Sequence, residues 1–241
     1  MIISILYEDA DMLAVNKPAG LVVHSDGRTD EPTIVDWLLE KYPHIAEVGE
    51  RVRAGIVHRL DRGTSGATLI AKTQVAFEYL KKQFQERKVE KIYHAFVYGR
   101  VKNDEGVIDR PIARSRRGGA LWSATRGKKG KEREAITEYK VLGRGSECSL
   151  VELRPLTGRT HQLRVHLKAI NYPVVCDKLY APNKPCLLGF SRLALHARSL
   201  TLTFPPLRQG FAGQASERRI TIEASYPADF QNAITAAHLE S

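Results

Sequence analysis

One loop of this chain combines a carboxylate with two neighbouring guanidinium groups, a combination that could support catalysis. Residues 58–66 have the sequence HRLDRGTSG, with Asp61 flanked by Arg59 and Arg62. A single carboxylate can act as a nucleophile or a base without a partner acid, provided that it is ionised. A neighbouring arginine favours the ionised form. The competing interpretation is a turn with a surface ion pair, because exposed pairs are common and add little stability.

Short apolar segments flank this loop and predict the elements that position it. Residues 56–57 precede the loop and residues 69–71 follow it, and both segments are typical of buried strands. Gly63 and Gly66 permit backbone conformations that other residue types resist. We therefore expect a tight turn that holds Asp61 between two rigid elements, where functional residues are often found.

The remaining segments predict an α+β fold. Strands are expected at residues 2–6, 12–15, 91–99, 135–142, 149–154 and 200–204, the last paired with 220–224 in a hairpin. Helices are expected at residues 34–41 and 74–88, each after a capping threonine, at 159–168 and near 230–237. Short strands outnumber helices and do not alternate with them. We expect one catalytic domain, residues 1–241, with a mainly antiparallel mixed sheet flanked by helices and loops.

The charge balance favours a polyanionic partner. The chain of 241 residues has 37 Lys and Arg against 27 Asp and Glu, a formal net charge of +10. The electrostatic field of a net charge this positive favours binding to nucleic acid, although the basic side chains of many proteins only contact solvent. Residues 104–134 are rich in glycine and basic residues and lack periodicity, so we expect a mobile loop there. A loop of this kind suits a phosphate backbone.

Other features exclude several classes of protein. The three cysteines, Cys148, Cys176 and Cys186, form no C-x-x-C pair, so we expect reduced thiols, no disulfide framework and no metal site. No apolar run approaches the roughly 18–20 residues that a membrane helix needs. The N-terminus lacks a basic signal-peptide region, and no glycine-rich nucleotide-binding motif is present. We expect a cytoplasmic monomer without cofactor, metal or membrane contact.

Several further motifs accompany the loop around Asp61 along the chain. They are the entry segment at residues 8–24, HRLDRGTSG at 58–66, KIYHA at 91–95, RPLTGRTHQLRVH at 154–166, DKLY at 177–180 and LHA at 195–197. In this order they resemble the motifs of the RluA family of RNA pseudouridine synthases, and the resemblance covers nearly the whole chain.

The resemblance implies isomerisation of uridine to pseudouridine in ribosomal or transfer RNA, without cofactor or metal. It implies that Asp61 is the catalytic aspartate and that Arg59, Tyr93, Leu163 and Arg164 bind the substrate. Arg164 is expected to pair with Asp61, with Arg59 as the second candidate for that pair. Arg59 would fill the space left by a flipped base, and Tyr93 would pack against the uracil. Whether the carboxylate adds to the sugar or removes its 2′ proton stays open.

The chain also departs from the family pattern. It begins directly on the catalytic pattern, so we expect no S4-like RNA-binding domain, and RNA affinity would come from the basic surface of the catalytic domain. Lys128, Lys129 and Lys131 are the residues expected to contribute. Cys176 replaces a glycine that the family usually has, and residues 207–218 are long for a hairpin loop, so we expect a mobile excursion there.

Two other functions compete with the isomerase. An RNA-binding or chaperone-like module could have the same fold without turnover, but pure binding needs no carboxylate facing RNA phosphates. A glycosidase-like hydrolase is disfavoured, because that chemistry uses two acidic residues and Asp61 has no partner in a comparable motif.

Overall fold

The chain forms two units, each of which combines helices with antiparallel strands. The structure is a computed structural model that describes residues 3–25, 31–50, 53–119, 121–205 and 217–240. The first unit comprises residues 1–91 and 197–225, and the second comprises 92–196 and 226–241. The α+β class expected from the sequence is confirmed. No helix within the described ranges is long and apolar enough to cross a membrane.

Twelve strands, four α-helices and one 3-10 helix (Pro43–Glu47) make up the regular structure of the described residues. The helices are α1 (Ile34–Lys41), α2 (Gln74–Gln85), α3 (Gln162–Ala169) and α4 (Ala228–Ala236). The strands are β1 (Ser4–Glu8), β2 (Met12–Lys17), β3 (Ser65–Ala71), β4 (Glu90–Tyr98), β5 (Glu105–Asp109), β6 (Ile112–Ser115), β7 (Trp122–Ser123), β8 (Lys128–Arg133), β9 (Ile136–Arg144), β10 (Cys148–Pro155), β11 (Leu195–Phe204) and β12 (Arg218–Glu223).

The first unit is built on a three-strand meander and a hairpin. Strand β2 pairs antiparallel with β1 on one side and β3 on the other, and this central position explains why it is buried along nearly its whole length. Strands β11 and β12 form the hairpin predicted from the sequence. Apolar residues of these strands pack with α1 and α2 in one core, which includes Leu13, Leu38, Leu69 and Leu80.

Capping residues begin the two helices of the first unit where the sequence predicts. The Thr33 hydroxyl accepts the Asp36 N–H at 3.3 Å, and the Asp36 carboxylate accepts the Thr33 N–H at 2.7 Å, which completes a capping box before α1. Thr73 caps α2 by accepting the Ala76 N–H. Helix α2 ends at Gln85, so the predicted end at residue 88 is about one turn too late.

The second unit holds a four-strand antiparallel sheet in the order β4–β10–β9–β5 and a smaller sheet in the order β7–β6–β8. Its main core contains Phe96, Leu153, Leu167 and Phe230. The prediction of a loop at residues 104–134 is wrong, because this segment forms β5, β6, β7 and β8. Its strands depend on partners that lie elsewhere in the sequence, which a search for local periodicity does not detect.

Two further expectations differ from the structure. Residues 56–57 do not form a strand, since Ile56 makes only an isolated bridge to Ile70. Cys176 and Cys186 form a disulfide, so the expectation of reduced thiols throughout is wrong for this pair. Cys148 is a buried free thiol. The expected excursion at residues 207–218 lies mostly outside the described residues.

The disulfide joins two cysteines that are ten residues apart, and Tyr98 forms hydrogen bonds with the backbone at or beside each of them. The Tyr98 hydroxyl donates to the Pro185 carbonyl at 2.6 Å and accepts the Cys176 N–H at 3.0 Å. This arrangement brings the neighbours of both cysteines together. Spacing along the sequence carries no sign of it.

Candidate active site

Asp61 lies in a tight turn immediately before β3. Its carbonyl accepts the Thr64 N–H at 3.0 Å, which closes the turn. Leu60 before it and Thr64 after it are buried, whereas Arg59 is exposed and Asp61 is half-buried. The buried side chains of Leu60 and Thr64 anchor the turn, so the backbone that carries the Asp61 side chain is fixed in position.

A buried lysine connects this turn by hydrogen bonds to the segment that follows β2. Lys17, at the end of β2, has no exposed surface. Its ammonium donates to the carbonyls of Pro18 at 3.0 Å, Leu21 at 2.7 Å and Arg62 at 3.2 Å. The Arg62 carbonyl also accepts the Gly20 N–H at 2.8 Å. Residue 62, next to Asp61, is thus held by an ammonium and a backbone amide together.

Gly66 is the position where the turn requires glycine. It lies opposite Lys17 in the β2–β3 ladder and has φ of +118°, a conformation that L side chains rarely adopt. A Cβ atom at this position would also overlap the backbone carbonyl of Ala197. Both the backbone angle and the close approach therefore exclude a side chain here.

His58 fixes the other end of the turn. Its Nε2 accepts the Leu69 N–H at 2.9 Å, and its ring stacks on Phe84 with centroids 4.6 Å apart. Burial of the ring, with a smaller contribution from the Lys91 charge, lowers the pKa of His58 to about 3. The imidazole is therefore neutral at physiological pH and accepts the backbone hydrogen bond in that form.

Helix α3 carries Leu163 and Arg164, and its start differs from the prediction. The helix begins at Gln162 rather than 159, because His161 before it has a left-handed backbone with φ of +56°. The buried Gln162 amide accepts the Thr157 hydroxyl at 2.7 Å and the Arg159 N–H at 2.9 Å. These bonds hold the preceding turn against the first residue of the helix.

Arg164 has a carboxylate partner that the sequence did not predict. Its Nε and Nη2 donate to the two Asp177 oxygens at 2.8 Å and 2.7 Å, and its guanidinium lies 5.0 Å from the centre of the Tyr180 ring. The His161 ring and the Lys168 ammonium also contact Tyr180. His161, Arg164 and Lys168 therefore gather around one tyrosine. The pairing of Arg164 with Asp61 stays a prediction.

The other candidate residues are placed as follows. Tyr93 lies on β4 and is half-buried, opposite Leu153 of β10. Leu163 is buried within the core of the second unit. Asp61 and Arg59 thus belong to one turn of the first unit, and Tyr93, Leu163 and Arg164 belong to the second unit.

The small sheet of the second unit carries a concentration of positive charge. Arg114 and Arg133 stack on the Trp122 ring, with guanidinium carbons 4.5 Å and 5.8 Å from its centre. Lys129 and Lys131 are exposed, whereas Lys128 pairs with Glu132 at 2.6 Å. Of the three lysines expected to bind phosphate, Lys128 therefore has a carboxylate competing for its charge.

Two residues important to this geometry, Lys17 and Asp177, lie in motifs of the family resemblance, but the sequence assigns them no role. Lys17 follows a run of apolar strand residues, and a charge continuing such a run is a signal for a satisfied buried group. Asp177 follows the apolar pair Val174 and Val175 in the same way. In both cases a charged residue after apolar ones indicates that the charge is buried, but it does not indicate which groups form hydrogen bonds with it.

Known proteins resemble this chain in sequence and fold. The family model described as RNA pseudouridylate synthase matches residues 11–169. An uncharacterized RNA pseudouridine synthase of Mycobacterium bovis is 40% identical over 96% of this chain and 71% of its own length. The ribosomal large subunit pseudouridine synthase D of Neisseria meningitidis is 38% identical over all of this chain and 63% of its own length. The solved structure of human RNA pseudouridylate synthase domain containing 4 aligns with a TM-score of 0.74 at 26% identity, covering 99% of this chain and 94% of that one.

Proposed function

This chain belongs to the RNA pseudouridylate synthase family, and we propose that it isomerises uridine in RNA with Asp61 as the catalytic carboxylate. The observation that carries the proposal is the turn around Asp61. It lies inside the matched region, between residues 11 and 169. The buried Lys17 ammonium and the Gly66 backbone anchor it on both sides. A turn held this firmly suits a carboxylate that must meet one sugar carbon at a defined distance.

The proposed reaction is a balanced rearrangement within one nucleotide. The bond between uracil N1 and sugar C1′ breaks, the base turns, and a bond forms between uracil C5 and C1′. The proton on C5 is lost, and N1 ends protonated. Asp61 either adds to C1′ or removes the proton on C2′, and both routes need its ionised form. The target base must leave its stack, because a stacked base hides the glycosidic carbon from a side chain.

We propose substrate roles for four further residues. Arg59 is exposed beside Asp61, as a side chain that replaces a flipped base must be. Tyr93 would pack against the uracil, with Leu163 as an apolar neighbour of the base. Arg164 would stabilise the Asp61 carboxylate through its positive charge. We propose that residues 1–241 form a single catalytic domain. We also propose that the protein acts as a monomer in the cytoplasm.

The RNA itself would bind partly through the basic small sheet. Arg114, Arg133, Lys129 and Lys131 are exposed on it and suit phosphate oxygens. Trp122, with guanidinium groups stacked on it, adds a surface of the type that nucleic acids contact. We place the chain in the RluA group. We propose ribosomal RNA as the first substrate to test, supported by the name of the relative from Neisseria meningitidis, with transfer RNA second.

The test is pseudouridine mapping of unmodified ribosomal and transfer RNA treated with wild type, Asp61→Asn and Asp104→Asn. Asp104 is 86% exposed at its side chain and controls for the loss of one negative charge. We expect product from wild type and Asp104→Asn, and none from Asp61→Asn. Product from both wild type and Asp61→Asn would overturn the role of Asp61. Tight RNA binding without product from wild type would favour an RNA-binding module instead.

A further inference from the structure

Asp177 is a buried carboxylate whose oxygens are surrounded by donors of its own unit. Its side chain has no exposed surface. Oδ2 accepts Arg164 Nε at 2.8 Å. Oδ1 accepts Arg164 Nη2 at 2.7 Å and the backbone N–H groups of Leu179 and Tyr180 at 3.0 Å each. The carboxylate is thus fixed by its own backbone loop, and it fixes the guanidinium in turn.

This pair restricts the orientation of the guanidinium as well as its position. Two parallel hydrogen bonds hold the plane of the guanidinium in line with the carboxylate. The Tyr180 ring, 5.0 Å from the guanidinium carbon, packs beside the group and limits its freedom to move. Asp177 engages the Nε and Nη2 edge, so a second anion would be met through Nη1 or the second N–H of Nη2. The direction of that edge depends on Asp177.

We propose that Asp177 is a positioning residue that holds the Arg164 guanidinium in the orientation required for uridine isomerisation. The proposal rests on the isomerase function and on the role of Arg164 proposed above. Asp177 contacts neither the sugar nor the base in this proposal. It acts through Arg164, because a guanidinium held by one carboxylate along one edge presents the other edge at a fixed angle.

The variant Asp177→Asn separates orientation from folding. An asparagine with its oxygen at the Oδ1 position keeps the bonds to Arg164 Nη2 and to both backbone N–H groups. Its amide NH2 then replaces Oδ2 and faces Arg164 Nε–H, so two donors oppose each other. The loop keeps its anchors while the guanidinium must rotate.

A second arginine–aspartate pair of the same unit provides the matched control. Asp229 accepts Arg192 Nε at 2.6 Å and Nη2 at 2.8 Å, the same two-bond arrangement. The variant Asp229→Asn therefore makes the same chemical change in a pair that is given no role in the reaction. Arg164→Lys keeps both charges but cannot form the two parallel bonds, so it tests orientation even if Asp177→Asn fails to fold.

The experiment measures single-turnover pseudouridine formation and RNA affinity on unmodified ribosomal and transfer RNA transcripts, with thermal melting of each variant. We expect Asp177→Asn and Arg164→Lys to lower the rate constant by about 10- to 100-fold, since small displacements of positioned groups have effects of this size. RNA affinity should change by less than about twofold, as for a group that acts on the chemical step. Asp229→Asn should match wild type.

A double-mutant cycle distinguishes a positioning role from a merely structural one. In an Arg164→Met background, Asp177→Asn should lower the rate constant no further, because its effect is transmitted by Arg164. Full additivity in this cycle, or wild-type rates for Arg164→Lys, would overturn the proposal. If wild type forms product and Asp177→Asn forms it equally fast, the inference fails while the proposed function stands. If wild type forms no product, the proposed function fails first.

Discussion

Replacing the buried Lys17 by methionine tests whether the turn around Asp61 is held as the structure indicates. Methionine keeps an unbranched side chain but removes the ammonium. The carbonyls of Pro18 and Leu21 then lose the donor at 3.0 Å and 2.7 Å. The Arg62 carbonyl loses one donor and keeps the Gly20 N–H at 2.8 Å.

The magnitude follows from these contacts. A fully buried carbonyl left without its partner costs about 1–3 kcal/mol. Pro18 is exposed and Leu21 is half-buried, so water replaces part of the lost bonding and the two carbonyls together cost about 1–3 kcal/mol. The variant no longer buries an ammonium, and the desolvation cost that the native protein bears for this group offsets part of the loss. We expect the free energy of unfolding of Lys17→Met to fall by about 1–2 kcal/mol.

The assay is urea denaturation followed by circular dichroism, with Lys82→Met as the control. The Lys82 side chain is 72% exposed and pairs with Glu86 on the surface of α2, so its loss should change stability by less than about 1 kcal/mol. Single-turnover pseudouridine formation by folded Lys17→Met should also fall, because the residue next to Asp61 loses an anchor. A stability change no larger than that of Lys82→Met, with an unchanged rate, would refute the role given to Lys17.

Three further outcomes are expected from other parts of the molecule. Gly66→Ala should reduce stability by about 3 kcal/mol or more, measured by urea denaturation, because it adds backbone strain and steric overlap; Gly20→Ala, at a positive φ of 89° with open space around it, should cost less. Replacing Lys129 and Lys131 with alanine should weaken RNA binding and reduce its salt slope by about 1.4–1.8, at 0.7–0.9 per phosphate contact, and an unchanged slope would show that both lysines are only solvated. His58 has a folded pKa of about 3, below its ordinary value of 6.5, so the unfolded state binds the extra proton as the pH falls between these values. Stability should therefore drop by up to about 1.4 kcal/mol per pH unit below pH 6.5, relative to a His58→Gln variant that lacks this dependence.

Local sequence patterns predicted the elements whose stability comes from neighbours along the chain. The capping threonine Thr33 predicts the start of α1, because the hydrogen bonds of its cap span three residues. The strand patterns at residues 200–204 and 220–224 predict the β11–β12 hairpin, whose strands follow each other along the chain. The same approach failed for residues 104–134, where β5 pairs with β9 about thirty residues away. Such strands are stabilised by partners that a local window does not contain.

The motif around Asp61 indicates the turn that carries the candidate catalytic residue, and the order of motifs along the chain predicts the family. Tertiary structure decided how the turn is held. The sequence shows a lysine at position 17, but only the fold brings its ammonium to the Arg62 carbonyl, forty-five residues away. Likewise, only the fold pairs Arg164 with Asp177 and Cys176 with Cys186. A sequence pattern specifies residue types and their periodicity. The partner of a buried charge or thiol is specified by the closure of the chain around it, and this depends on packing over the whole unit.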